Sequence, residues 1–560
     1  MRRAILTLAA LAVLAGGTAS AQSYFTPVGY RGAFDPAQPM GNQWTAGWTN
    51  FNPQAAVYGA GRPQVVIGTG LGRPARENFF QQFSRRLDAD TVYVLTGLYY
   101  VDSTHTLTIE PGTVVLGDSA TQGTLIIRRG AFVNAAGTAG APIVFAPLDP
   151  AGRRNPGDWG GVVILGKGPV NKTEPLIEGG LISGSYGGTN PLDSSGVFQY
   201  VRIEYPGTRF QLNNEVNGLT MGAVGSRTRI DHVQVSYSFD DSFEWFGGTA
   251  DARYLVAVGG TDDEFDSDFG WSGRVQFAFA KKDPAYFDAA GQTNGFESDN
   301  DDPPTLSNPR TSGVFSNITV VGPQQDTSVA VNSRFERAAL LRRNTRMSIH
   351  NSILMGYPFG IEIRNDTTAA GALAGYLQLR NITLQARTNT VTKSSVGITF
   401  DQTGWFNTAG YNNTGATPRQ PADVVGSGNV AGWFNLTNPT PIPVSGQGDA
   451  SLFTTNFNNP QLSVREVGGG NVPEGFVLQQ NYPNPFNPVT LIRFSIPASG
   501  RTTLAVYNLV GERVAELVNG ELAGGTYEVD FDASNLPTGT YFYRLSSGAF
   551  SKTGKMMLVK

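Results

Sequence analysis

The chain has 560 residues and a formal charge of −4, with only 15% of its residues charged and no basic tract, a balance unlike that of nucleic-acid-binding proteins. It has no cysteine and only three histidines, His105, His232 and His350. That excludes crosslinks, thiol nucleophiles and thiolate metal sites, and leaves little scope for a multi-histidine centre.

The N-terminus reads as an export signal. Arg2 and Arg3 precede an apolar run from Ala4 to Ala15, and Ala19-Ser20-Ala21 offers a small-x-small cleavage pattern ahead of Gln22. The run is well short of the roughly 20 apolar residues that span a bilayer. Residues 1–21 are therefore expected to be a cleaved signal peptide, with no membrane span in the mature chain. Residues 22–89 lack any repeat. Trp44, Trp48 and Phe51 lie close together there, and the region is expected to cap the first turn of a repetitive domain, with a sugar-stacking aromatic surface as the alternative. Asn78 to Leu87 is the best candidate for a short helix.

From about Asp90 to residue 435 the pattern is one of short apolar segments punctuated by Gly and Pro-Gly turns. Val233, Leu255 and Phe277 recur at 22-residue steps, and Phe243 and Phe265 repeat the same interval in a second register. The polar stretch Asp283 to Gly291 and the Pro-rich Asp301 to Arg310 read as inserts. Short strands at a period near 22, with few helices, predict a parallel β-helix in which each turn of chain is one rung. The leucine-rich pattern is absent, and a β-propeller needs a longer period. Asn317, Asn351 and Asn381 hold one position in three segments and are expected to stack as an amide ladder at a rung corner.

The same register aligns carboxylates. Asp240 falls on Asp262, Asp241 on Asp263, and Glu244 on Asp266 and then Glu297, while Asp268 falls on Asp299. Stacked rungs place such groups about 4.8 Å apart, where two charges repel by about 0.9 kcal/mol even in water. Alternation with Phe243 and Phe265 points Glu244 and Asp266 outward. Hard oxygen donors favour Ca²⁺, so Asp241, Glu244, Asp263, Asp266, Asp268, Glu297 and Asp299 are candidate ligands for one or two ions. A solvated acidic face is the alternative. An enzymatic alternative assigns Asp240, Asp241, Asp262 and Asp263 as catalytic carboxylates, with Arg274, Lys281, Arg334 and Arg337 as candidate bases for a lyase.

Several segments carry a resemblance to the right-handed β-helix domains of secreted bacterial surface proteins. They are Thr106-Leu107-Thr108-Ile109-Glu110-Pro111-Gly112-Thr113, Gly137-Thr138 with Pro142-Ile143-Val144-Phe145, Gly157-Asp158-Trp159-Gly160-Gly161, and the rung Asp240-Asp241-Ser242-Phe243-Glu244. That scaffold serves adhesins, lyases and hydrolases alike. The paired aspartates also resemble those of β-helical polysaccharide hydrolases, whose downstream His-Gly and Arg-x-Lys elements are missing here.

Residues 436–473, with Pro439, Pro441, Pro443 and Gly468-Gly469-Gly470, read as a linker with a short ordered piece near Leu452-Phe453. Residues 474–560 alternate as short strands between Gly-rich turns, which predicts an Ig-like β-sandwich. Asn481-Tyr482-Pro483-Asn484-Pro485-Phe486-Asn487-Pro488, Tyr507-Asn508-Leu509-Val510-Gly511, Leu536-Pro537-Thr538-Gly539-Thr540-Tyr541 and the ending Lys555 to Lys560 resemble the type A sorting domain of type IX secretion substrates. The resemblance implies recognition by that secretion machinery and passage across the outer membrane. It often implies removal of the domain and attachment of the remainder to surface glycolipid. The expected protein is an all-β, exported surface chain that binds or adheres to a glycan or other surface ligand. Polysaccharide cleavage is the alternative.

Overall fold

A rung cannot bury its inner face alone, so its stability comes from the rung above and the rung below. In the computed structural model this stacking runs along three faces. Face A strings together Gln64–Gly68, Val92–Thr96, Val114–Gly117 and Ile143–Pro147. It continues through the C-terminal halves of Gly196–Glu204, Arg229–Ser236, Ala252–Val258, Arg274–Lys281 and Val314–Val321. Face B takes Asn78–Gln81, Leu98–Val101, Thr124–Ile127, Gly161–Leu165, Leu219–Gly222, Phe243–Phe246, Phe265–Asp268, Phe296–Ser298 and Arg337–Leu341. Face C opens with Arg85–Leu87, Thr106–Ile109 and Phe132–Ala136, then takes the N-terminal halves of the long strands named for face A. Every one of these pairings is parallel. The chain forms the right-handed parallel β-helix that its period predicts.

The structure describes residues 24–415, except 180, 212–213, 304–305, 327–329 and 394–396. It also describes 464–466, 473 and 475–559, except 488, 523 and 534–535. The expected signal peptide, the expected β-helix beyond 415 and the piece near Leu452-Phe453 lie outside the described residues. The chain divides into two units, Phe25–Thr454 and one containing Thr455–Lys560.

Three expectations are corrected. The rungs begin at Gln64, not near Asp90. The helix expected over Asn78 to Leu87 is two strands, Asn78–Gln81 and Arg85–Leu87. Rung pairing supplies their backbone hydrogen bonds, and Phe79 and Phe80 stack on Tyr99 and Tyr100 at 5.0 and 4.8 Å, contacts a helix would break. The step after Leu255 is 23, so its partner is Ala278 and not Phe277. The extra residue falls in the turn after Asp268, where Trp271 folds wholly into the core and donates from its indole to Ala250 O at 3.2 Å.

That one-residue shift places Phe277 in a different column, at the corner between faces C and A. Tyr200, His232, Tyr254, Phe277, Asn317, Asn351 and Asn381 all adopt a left-handed backbone there, with φ from 48° to 61°. Such a conformation costs a non-glycine residue about 1 kcal/mol or more, and stacking along the column offsets it. The rings succeed one another at 4.2, 4.3 and 5.3 Å from Tyr200 to Phe277. Asparagine then takes over, the residue that tolerates this conformation best after glycine. Asn381 Nδ2 donates to Asn351 Oδ1 as a ladder requires. Asn317 leaves the ladder and donates to Tyr30 O and Gly32 O, at 3.0 and 3.3 Å.

Those carbonyls belong to the segment expected to cap the first rung. It runs instead as a strap along the corner and face A. Arg31 donates to Asn412 O at 2.7 Å, Gly32 N to Asn351 O at 2.7 Å, and Ala33 N to Thr319 Oγ1 at 2.9 Å. Trp44 packs on Tyr254, and Trp48 packs edge-on against Tyr200 and His232. Trp48 is 1% exposed and covers the ring column, so its own ring has no open face for a sugar.

The second unit is a sandwich of two four-stranded antiparallel sheets. One contains Val464–Glu466, Gly525–Asp532, Val489–Ile496 and Val477–Leu478, and the other Arg513–Leu522, Gly500–Tyr507, Gly539–Ser547 and Phe550–Leu558. Ile492, Phe494, Leu504 and Tyr543 lie in its shared core. Its first strand, Val464–Glu466, pairs with Tyr527–Val529 and falls inside the expected linker. Among the described residues no helix is long and apolar enough to cross a membrane.

His350, 2% exposed in the strand Ser348–His350, is held down at about 3 by burial and then by the charge of Arg380. The unfolded chain protonates this imidazole near pH 6.5, so the native state loses stability as pH falls below about 6.5 toward 3. In His350→Gln that loss is absent. The difference in melting temperature between variant and wild type should therefore move in the variant's favour between about pH 7 and pH 5. A difference independent of pH would contradict this reading.

Candidate metal centre

Along face B the strand alternation turns Phe243 and Phe265 inward, where their rings stack at 5.8 Å, and sends Glu244 and Asp266 outward. Register then stacks the outward residues in columns. Thr220 lies beside Glu244, Glu244 beside Asp266, and Asp266 beside Glu297, while Phe246 lies beside Asp268. Asp240-Asp241 and Asp262-Asp263 sit in the turns that lead from face A into this face. Part of this acidic set is shielded, with Asp241 7% exposed, Glu244 6%, Asp263 4% and Asp299 3%, while Asp240, Asp262, Asp266, Asp268 and Glu297 are half-buried. Segments outside the rungs add to the field, with Glu178, Glu215 and Asp288 all acting on Asp240. Asp288 comes from the insert Asp283 to Gly291, and Gly291 passes so near Asp262 that a Cβ there would meet its Oδ2 at 3.5 Å.

The structure divides the expected ligands into four groups. Asp241, Glu244 and Asp266 each offer an oxygen within 4.8 Å of the others, and so do Asp240, Asp241 and Asp262. Asp240 and Asp262, assigned from sequence only to the catalytic alternative, thus join the cluster. Asp263 turns to the backbone instead: it accepts from Asn294 N at 2.6 Å, while its own amide donates to Asp241 Oδ1 at 2.8 Å. Glu297 and Asp299 belong to arginines. Arg342 bonds both, reaching Asp299 at 2.9 Å, and Arg343 meets Asp299 at 2.6 Å. Asp268 stays beside the cluster, its Oδ1 shielded and accepting no hydrogen bond.

Burial first, and then the neighbouring carboxylates, pushes Asp240, Asp241, Glu244, Asp262, Asp266 and Asp268 well above the usual carboxylate range. Burial raises Asp263 to about 6 against the pull of Lys282 and Asn294, and raises Glu297 to about 8 against that of Arg342. Carboxylates in this state keep protons or take up a cation. Three of the four candidate bases are held by other groups. Arg274 pairs with Asp251, Arg334 donates to Gly291 O at 2.9 Å, and Arg337 pairs with Glu336 and Glu362. Lys281 ends its strand on face A, and burial lowers it to about 7.

Sequence reasoning missed Arg342 and Arg343. Ser298 pairs with Leu341, so the register carried across the insert Asp301 to Arg310 puts Arg342 after it, level with Asp299. It also missed the buried pair Lys282–Glu264, at 3.3 Å. Removing one member of a buried pair leaves its partner's charge uncompensated, at about 3–5 kcal/mol. Arg342→Met should lower unfolding free energy in urea by roughly 3 kcal/mol, and adding Glu297→Gln should restore part of it. Additive losses in the double variant would mean that the pair does not interact.

Comparison with known families agrees with the fold. A model described as a pectate-lyase-like β-helix domain matches residues 80–430, and one described as a secretion system C-terminal sorting domain matches residues 480–560. A search of curated proteins found no match. The sorting domain marks the chain for type IX export to the cell surface or the extracellular space. The chain belongs to the family of pectate-lyase-like β-helix domains, with a type IX sorting domain as its C-terminal unit.

Proposed function

We propose that this exported protein is a surface binding or adhesion protein, and that its acidic cluster beside face B holds a glycan through Ca²⁺. The observation that carries this reading is the crowding of Asp240, Asp241 and Asp262, and of Asp241, Glu244 and Asp266, each set within metal-ligand reach of its own members. All the donors are oxygens, which suits a hard cation. A Ca²⁺ with ligands at 2.3–2.6 Å spans about 4.6–5.2 Å between opposite oxygens, and clusters within 4.8 Å fit inside that span. The same crowding weighs against an inverting hydrolase, whose carboxylates stand roughly 6.5–9.5 Å apart to admit water. Asp240, Asp241, Glu244, Asp262, Asp263, Asp266 and Asp268 together outweigh the charge of one or two divalent ions. That excess favours the hydroxyls of an uncharged sugar over a uronate.

One observation favours polysaccharide cleavage as a second reading. The β-helix model that matches residues 80–430 is described as pectate-lyase-like.

With the mature protein, Ca²⁺ should raise the melting temperature relative to a chelator, and binding to a glycan array should fall with chelation. No thermal shift together with chelator-insensitive binding would overturn the proposal. Unsaturated products from acidic polysaccharides, lost on changing Asp241 or Asp263 to Asn, would establish the second reading in its place. Deleting residues 474–560 should leave the protein in the periplasm, and normal surface display of that truncation would contradict the sorting role.

A further inference from the structure

We propose that the acidic cluster holds two divalent cations that share Asp241, and that the amide oxygen of Asn217 completes the second; this rests on the cation reading above. The acidic groups form two triads rather than one. Asp240, Asp241 and Asp262 meet at the turn into face B, and Asp241, Glu244 and Asp266 meet at the start of the face B strands. Asp241 is common to both. Its Oδ1 already accepts from Asp263 N, which fixes the carboxylate between the two positions and leaves lone pairs on both oxygens. A carboxylate held this way can bridge two ions.

The independent observation comes from neutral oxygens. Asn217 is 1% exposed, and its Nδ2 donates to Glu244 Oε2, so its side chain points into the second triad. Its Oδ1 is buried and accepts no hydrogen bond. Thr220, 2% exposed, lies directly beside Glu244 in the register, and its Oγ1 is likewise without a hydrogen bond. A buried polar atom left unpaired normally costs about 1–3 kcal/mol. Two such oxygens beside one carboxylate are what a hard cation needs to fill the six to eight positions of its coordination sphere. In the first triad Asp240 and Asp262 are partly open to solvent, where water can complete a sphere.

Charge points the same way. The five carboxylates of the two triads carry five negative charges when ionised. One divalent ion leaves three of these uncompensated in a shielded site, whereas two leave one.

Calcium titration of the mature protein by calorimetry, with native mass spectrometry to count bound ions, tests this. Wild type should bind two ions. Asn217→Ala and Glu244→Gln should each weaken one site at least tenfold and leave the other. Asp262→Asn should remove the opposite site, and Asp241→Asn should impair both. Asn217→Asp, which keeps the oxygen, should still bind two, and it guards against a misfolded Asn217→Ala. A single ion in wild type, or two ions at unchanged affinity in Asn217→Ala, overturns the shared-ligand arrangement while leaving a cation site standing. No bound ion at all overturns the cation reading itself.

Discussion

Parallel stacking at about 4.8 Å is the constraint on which the rest of this molecule depends. Once two rungs pair in register, each side chain must lie over its counterpart, whatever the chemistry of the two. For Phe243, Phe265 and Phe296 this is favourable, since inward rings stack at 5.8 and 5.2 Å and leave water together. For Glu244, Asp266 and Glu297 the same geometry forces like charges together. The core and the acidic cluster are two results of one repeat.

The molecule handles the repulsion differently along the column. From Glu297 onward the next rung brings Arg342 and Arg343, and the charge is neutralised by side chains. Earlier in the column, around Asp241 and Glu244, no described side chain plays that part for the two triads, and their carboxylates are pushed toward the protonated form. The boundary between the two regimes is Asp266, whose field also reaches Arg342.

Much of this was legible in the amino-acid sequence because a rung repeats both its inward and its outward residue. The pairing of Glu244 with Asp266, and of Asp266 with Glu297, comes from counting alone. Counting failed where one residue was added without changing residue type: the turn at Trp271 moved Phe277 from the core column to the corner column. It failed again for Asn78 to Leu87, where rung pairing overrode a weak local preference. The strap was hidden because its partners lie hundreds of residues away. Arg342 stood beyond a Pro-rich insert that broke the count. Asn217 and Thr220 carry no charge to draw the eye, and only the accounting of hydrogen bonds brings them forward.

The strap has a consequence for the order of events. Its residues Arg31 to Ala33 lie against Asn412, Asn351 and Thr319, which a growing chain supplies only near the end of the β-helix. Rungs can form from neighbour to neighbour as they appear, but the first residues to emerge must wait unpaired for the last. Closing so long a loop is slow in entropic terms, and it happens only on a complete stack. Docking of Arg31 therefore reports that the stack has reached Asn412, and a chain stopped short of it would leave this end of the strap unpaired for quality control to find.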